Sequence, residues 1–165
     1  MISKKICLLG SFAVGKTSLV SRFVSSLFTE KYHTTVGVKI DKKVVRTEGR
    51  EIALLIWDLA GEDEFQRVEA AYFLGASGYL LVVDGTRPAT LDQALLLRQR
   101  IEAAVGPIPF QLLLNKSDLA ADWDLDETVL QGLCQERWPV LKTSAKTGTG
   151  VEDAFLSLTR AMLPK

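Results

Sequence analysis

Short apolar runs alternate along this chain with segments whose apolar residues recur every three to four positions, the pattern of strands and amphipathic helices taken in turn. Ile6–Leu9 predicts a first strand, Ile52–Trp57 a third, Tyr79–Val83 a fourth, Phe110–Leu114 a fifth and Val140–Lys142 a sixth. Val36–Arg46 predicts a long second strand, joined to the third by Thr47-Glu48-Gly49-Arg50, where Gly49 is available for positive φ. That pair is expected to form the one antiparallel edge. Two helical stripes lie between the runs, Leu19, Val20, Phe23, Val24 and Leu27, then Leu91, Ala94, Leu95, the stem of Arg98, Ile101 and Val105; a third, Val151, Ala154, Phe155, Leu158 and Met162, follows the last run as the final helix. Thr149 and Glu152 predict a capping box ahead of the last stripe. The alternation implies an α/β fold, a doubly wound, six-stranded, mostly parallel sheet with helices on both faces. No repeat, low-complexity stretch or linker divides the chain, so residues 1–165 are expected to be one domain, long enough to bury a full core.

Charge and rare residues then exclude several classes. Twenty basic and twenty acidic residues cancel, so no global field points to nucleic acid or an acidic membrane. The cationic stretch Lys39 to Arg46 is interrupted by Asp41 and Val44–Val45 and is read as a solvated strand face, in preference to a lipid or RNA patch. Two cysteines are too few for a disulfide framework; Cys7 and Cys134 are both expected to be buried thiols in a reducing compartment. His33 is the sole histidine, which argues against a His-based metal cluster or a Ser–His triad and fits an exposed loop residue. No run approaches the ~20 apolar residues of a spanning helix. The start, Met1-Ile2-Ser3-Lys4-Lys5, leads into a strand and not a cleavable signal. These features predict a soluble, cytoplasmic protein.

Chemistry enters at the strand ends. Gly10-Ser11-Phe12-Ala13-Val14-Gly15-Lys16-Thr17 follows the first strand, opens a helix, and matches G-x-x-x-x-G-K-[ST]. Backbone N–H groups in such a loop converge on a phosphate, and the helix adds its positive end. The candidate phosphate contacts are therefore Ala13, Val14, Gly15, Lys16, Thr17 and Ser18, with Lys16 a point charge for the β- and γ-phosphates and Thr17 a hydroxyl ligand for Mg²⁺. Asn115-Lys116-Ser117-Asp118 follows the fifth strand, and Thr143-Ser144-Ala145-Lys146 the sixth. A carboxylate at Asp118 accepts from the ring N–H and the exocyclic amine of guanine, a donor pair that adenine lacks. Asn115 is expected at the base's imidazole edge, the Lys116 stem over the nucleotide plane, and the Ala145 N–H, flanked by Ser144 and Lys146, at the guanine oxygen. Alone, N-K-x-D also reads as a helix-capping turn; the P-loop and S-A-K at strand ends decide for the base. Asp58-Leu59-Ala60-Gly61 ends the third strand, where Asp58 can hold Mg²⁺ through water and Gly61 can bring an N–H to the γ-phosphate. Thr35, just ahead of the second strand, can close the magnesium shell.

The full set, in order, resembles the Ras superfamily of small GTPases and most its Rab-like branch, through Thr35 before Val36-Gly37-Val38 and Trp57 before Asp58-Leu59-Ala60-Gly61. The resemblance implies GTP/GDP and Mg²⁺ as ligands, Phe28 stacking at the guanine edge, and Tyr32 covering the phosphates. It also implies two switch loops, Phe28–Gly37 and Asp58–Phe73, so effectors, exchange factors and GTPase-activating proteins would dock at about 28–40 and 58–73. An effector-binding aromatic triad would map to Ile40, Trp57 and Tyr72, one aromatic short. The catalytic set would be Lys16, Thr35, Gly61 and Glu62. Four departures stand out: Glu62 in place of glutamine, Phe12 in place of a small residue, Leu59 in place of threonine, and no cysteine for prenylation after Met162-Leu163-Pro164-Lys165. A bacterial or otherwise unlipidated relative fits that ending, as does a trimmed chain. Two functions follow: a slow GTP hydrolase acting as a timed switch, or a GTP-dependent binding module whose hydrolysis is vestigial or partner-supplied. A P-loop kinase or ATPase is disfavoured by Asp118.

Overall fold

A computed structural model describes residues 1–26, 38–59 and 70–164. The elements run β1 (Ile2–Leu9), α1 (Lys16–Ser25), β2 (Val38–Thr47), β3 (Arg50–Leu59), α2 (Ala70–Phe73), β4 (Ala76–Asp84), α3 (Ala89–Val105), β5 (Phe110–Asn115), α4 (Glu127–Gln135), β6 (Val140–Lys142) and α5 (Val151–Met162), with a 3₁₀ turn at Ser117–Asp122. Among the described residues the sheet has six strands in the order β2-β3-β1-β4-β5-β6. Among the described residues only β2 and β3 pair antiparallel, and the other pairings are parallel. The doubly wound α/β architecture expected from the alternation is the one observed.

Both sheet faces are covered, which explains why the strands read as continuous apolar runs rather than alternating ones. Ile6 and Leu8 join Ile52, Leu54, Ile56, Leu80 and Val82 in the cluster under α1 and α5. Cys7 and Leu9 point the other way, to Leu81, Val83, Leu112 and Leu114 under α3. Phe23 of α1 stacks on Phe155 of α5 with centroids 4.1 Å apart, fixing those helices against one face.

The differences from expectation have local causes. β1 starts at Ile2 and β3 spans Arg50–Leu59 because ladder pairing needs only backbone groups, so it runs past the apolar stretch to Ile2↔Ile52. The β2–β3 connection closes at Thr47↔Arg50, with Glu48 (φ 52) and Gly49 (φ 74) both left-handed, the two-residue turn whose twist suits a hairpin. The capping box at Thr149 and Glu152 does not form. The N-cap of α5 is Gly150 at φ 71, where a Cβ would stand 2.3 Å from the Lys142 carbonyl oxygen, and Thr149 shares a hydroxyl contact with Thr147 instead. Cys7 is buried as expected, but Cys134 is exposed, because α4 turns Leu133 inward and the next residue out. Leu97 joins the α3 stripe as a buried residue, three positions after Ala94 and four before Ile101 and so on the same helix face. Leu27 and His33 fall outside the described residues.

Candidate functional site

Because β1, β3, β4, β5 and β6 run parallel, the segments at their C-terminal ends gather along one edge of the sheet. The chain leaves β1 toward β2 and β3 on one side and later crosses to β4 on the other, so the loop after β1 lies where the winding reverses. Crevices at such reversals are where open α/β sheets bind ligands.

The loop Gly10–Thr17 is shaped by unusual backbone angles. Ala13 (φ 62) and Gly15 (φ 105) are both left-handed, and a Cβ on Gly15 would stand 2.3 Å from Asn115 Nδ2, so this glycine is required by space as well as by angle. Ala13 is the costlier residue, a left-handed position with a side chain, at roughly 1–2 kcal/mol. The buried Lys16 ammonium arches back to donate to the carbonyls of Gly10 (3.0 Å) and Ser11 (3.5 Å). Ser18 follows in the first turn of α1, half-buried.

Asn115 ties this loop to its neighbours. Its amide is buried, with Nδ2 donating to the Val14 carbonyl (2.9 Å) and Oδ1 accepting from Thr143 Oγ1 (3.1 Å). One side chain thus joins the loops after β1, β5 and β6. A carboxamide nitrogen carries two hydrogens, so a second remains to meet a ligand. Asp118 is exposed on the 3₁₀ turn, and the buried Ser144 hydroxyl donates to its Oδ1 at 2.7 Å. Ala145 and Lys146 are held through their carbonyls by Arg22 of α1, Nε to Ala145 at 2.8 Å.

At the end of β3, Thr17 Oγ1 donates to Asp58 Oδ2 at 2.5 Å. Asp58 is fully buried, and among the described residues its Oδ1 has no hydrogen-bond partner. Burial pushes its carboxyl above the usual carboxylate range, against the Thr17 hydrogen bond and the Lys16 charge, which pull it down. An unpartnered buried carboxylate oxygen beside a hydroxyl is a pair of hard donors that fits Mg²⁺, which typically takes one or two protein oxygens and completes its shell with water and phosphate.

Several contributors carried no sequence signal. Asp84, at the end of β4, is buried and accepts Lys116 Nζ at 2.8 Å, Arg87 Nε at 3.0 Å, and the Thr86 N–H and hydroxyl. Burial alone would raise its carboxyl, but these donors outweigh it and hold it below the usual range. Lys116 is therefore tethered through its ammonium, with a left-handed backbone (φ 68, ψ 39). Arg87 also donates to the carbonyl of Phe12 (2.6 Å), whose side chain is exposed at the loop's tip. Lys5 sits 3.8 Å from the Trp57 ring centroid and donates to the carbonyls of Tyr72 and Leu74. Of the triad positions, Ile40 is exposed and pairs across the hairpin with Trp57, whereas Tyr72 is buried and bonds the Trp57 carbonyl at 2.7 Å. Phe28, Tyr32, Thr35, Gly61 and Glu62 lie outside the described residues, as do all of the first switch segment and most of the second.

A glycine-bearing phosphate loop, a magnesium-type carboxylate–hydroxyl pair and an N-K-x-D/S-A-K loop pair on one edge of a mostly parallel sheet define a P-loop guanine-nucleotide-binding protein. Residues 5–164 match the Ras family. The chain is 34% identical over 160 residues to the GTP-binding protein YPTM1 of Zea mays, covering 96% of this chain and 77% of the relative. It is 35% identical over 164 residues to the Ras-related protein Rab-7a of Paramecium octaurelia (95% and 80%), and 34% over 158 to the GTP-binding protein ypt1 of Schizosaccharomyces pombe (94% and 78%). The chain belongs to the Ras family, on its Rab-like side, and is a GTP-binding small GTPase switch. No described helix is long and apolar enough to cross a membrane.

Proposed function

We propose that residues 1–165 act as one cytoplasmic G domain that binds GTP–Mg²⁺ and GDP, hydrolyses GTP slowly, and signals by ordering its two switch loops. The observation that carries this reading is the Asn115 amide, which bridges the phosphate loop to both base loops and so makes phosphate and base recognition one unit. Asp118, oriented by Ser144, takes the guanine donor pair, while Lys116 lies along the base and Ala145 offers its N–H to the guanine oxygen. Backbone N–H groups from Ala13 to Ser18 cradle the phosphates, and Lys16 exchanges its loop carbonyls for phosphate oxygens. Thr17 and Asp58 would hold Mg²⁺, joined by Thr35 when a γ-phosphate is present. The ion, when bound, neutralises charge on the β- and γ-phosphates.

Slow hydrolysis follows from two residues. A glutamine amide both accepts from the attacking water and donates toward the phosphate, whereas ionised Glu62 can only accept and is repelled by the γ-phosphate. Phe12, exposed at the loop tip, occupies space that an inserted arginine would need. That exposure also favours a second reading, a GTP-dependent binding module that meets effectors through about 28–40 and 58–73 and leaves hydrolysis vestigial. Single-turnover hydrolysis decides the rate. The parent is expected well below ~10⁻² s⁻¹, near the ~10⁻⁴ s⁻¹ of an unaided small GTPase, with Glu62→Gln and Phe12→Gly restoring stimulation by an arginine-donating activator. An unaided parent faster than ~10⁻² s⁻¹, or a slower Glu62→Gln, would contradict it.

A further inference from the structure

Among the described residues, Lys116 is one of five side-chain-bearing residues at positive φ, and it stands at the N-terminal cap of the 3₁₀ turn that carries Asp118. Residues with a Cβ avoid this region unless neighbours hold them there. Three groups do. Asp84 holds the ammonium, and the Lys116 carbonyl accepts both from the Leu119 N–H, closing the 3₁₀ turn, and from the Trp123 indole N–H, each at 2.9 Å. An indole has a single donor and no acceptor, so the one polar atom of the Trp123 side chain is committed to this carbonyl.

The ring has a seat of its own. Gly85 follows Asp84, and a Cβ there would stand 2.1 Å from Trp123 Cε2, so the indole occupies the volume that a side chain at 85 would take. The backbone locks the arrangement: Gly85 N–H donates to the Asn115 carbonyl (3.1 Å) and Asp124 N–H to the Gly85 carbonyl (3.0 Å). Lys142 Nζ lies 5.7 Å from the ring centroid, within cation–π reach. The end of β4, the end of β5 and the segment after the 3₁₀ turn thus meet at one indole beside the base loop.

We propose that Trp123, seated on Gly85, is a positioning residue for guanine recognition: its indole N–H holds Lys116 in the left-handed conformation and so prolongs the lifetime of bound GDP. The proposal rests on the guanine-nucleotide reading above and adds the device that keeps the base loop in register. A pure packing role would need the ring and not the N–H.

The test uses the full chain loaded with N-methylanthraniloyl-GDP in Mg²⁺ and follows its release against excess GDP. Trp123→Phe keeps a ring over Gly85 and removes the donor, and release is expected to speed up roughly three- to tenfold, as loss of one hydrogen bond implies. Benzothienylalanine at position 123, with sulfur in place of the N–H and nearly the same shape, should do the same without disturbing packing. In a Lys116→Gly background, where positive φ is free, the increment from Trp123→Phe should shrink to under about twofold. Release at the parental rate from both position-123 variants would overturn the proposal, as would equal increments in both backgrounds. A parent that fails to bind labelled GDP would instead overturn the guanine reading itself.

Discussion

Replacing Asn115 by alanine removes the donor to the Val14 carbonyl and the acceptor for the Thr143 hydroxyl. Val14 and Thr143 are both 0% exposed, so each partner is stranded away from water. One stranded buried group costs about 1–3 kcal/mol, and two that share a single amide fall short of additive, giving about 2–4 kcal/mol. For a chain of this length each ~1 kcal/mol moves the unfolding midpoint by about 2–4 °C, so the expected loss is about 4–16 °C. Asn115→Asp is the sharper probe. It is nearly isosteric, yet it sets an oxygen where Nδ2 faced the Val14 carbonyl, and it buries a carboxylate beside that acceptor. Its midpoint should fall at least as far as that of Asn115→Ala. Circular dichroism melts are to be run with EDTA and nucleotide removed, because bound GDP would mask the loss by mass action. An Asn115→Asp midpoint within ~1 °C of the parent would refute the claim that this amide ties the loops together.

Other consequences follow from the same edge of the sheet. Asp58 has a raised pKa through burial, so its ionisation costs stability once pH rises from the ordinary carboxylate value through the raised one; Asp58→Asn should therefore melt higher at pH 7.5 in EDTA while losing the stabilisation that GTP–Mg²⁺ gives the parent. A lower midpoint in EDTA would show that the reasoning has the wrong sign. Asp84 is depressed, so its contribution is full above the ordinary carboxylate pKa and fades as pH falls through its lowered one; Asp84→Asn should be destabilised at pH 7, with the gap to the parent closing below pH ~4. Thr35→Ala should spare GDP binding yet abolish GTP-analogue protection of residues 28–37 in hydrogen exchange, whereas Thr17→Asn should weaken Mg²⁺ in both nucleotide states. Equal protection with GDP and the analogue in the parent would count against a switch.

What was legible in the chain was whatever chemistry demands at fixed spacing. Gly15 and Lys16 announced the phosphate loop because a Cβ at 15 meets Asn115 and the loop closes around the ammonium. The strands were readable because two covered faces leave no room for polar residues at Ile6–Leu9 or Tyr79–Val83. Positions set by tertiary contact were silent. Asp84 reads as an ordinary strand-end acid, Arg22 as the polar side of a helix, and Trp123 as a stray aromatic, until β4, α1 and the 3₁₀ turn converge. The α5 cap misled for a related reason: Thr149 has the right side chain, but the close approach of Lys142 admits only glycine at the next position.

The central claim is that Asp118 selects guanine, and Asp118→Asn tests it most directly. The Ser144 hydroxyl that donates to Asp118 Oδ1 at 2.7 Å can donate equally to an asparagine Oδ1, so the side chain keeps its orientation while Nδ2 replaces the free carboxylate oxygen. That nitrogen faces the guanine amine as donor against donor, but it matches xanthine, which presents an acceptor there. Equilibrium titration of parent and variant with GDP, xanthosine diphosphate and ADP gives the answer. The parent should prefer GDP over both, and the variant should lose GDP affinity by on the order of 10²–10⁴ while gaining xanthosine diphosphate. A parent that binds ADP as tightly as GDP, or a variant with unchanged GDP affinity, would contradict the account.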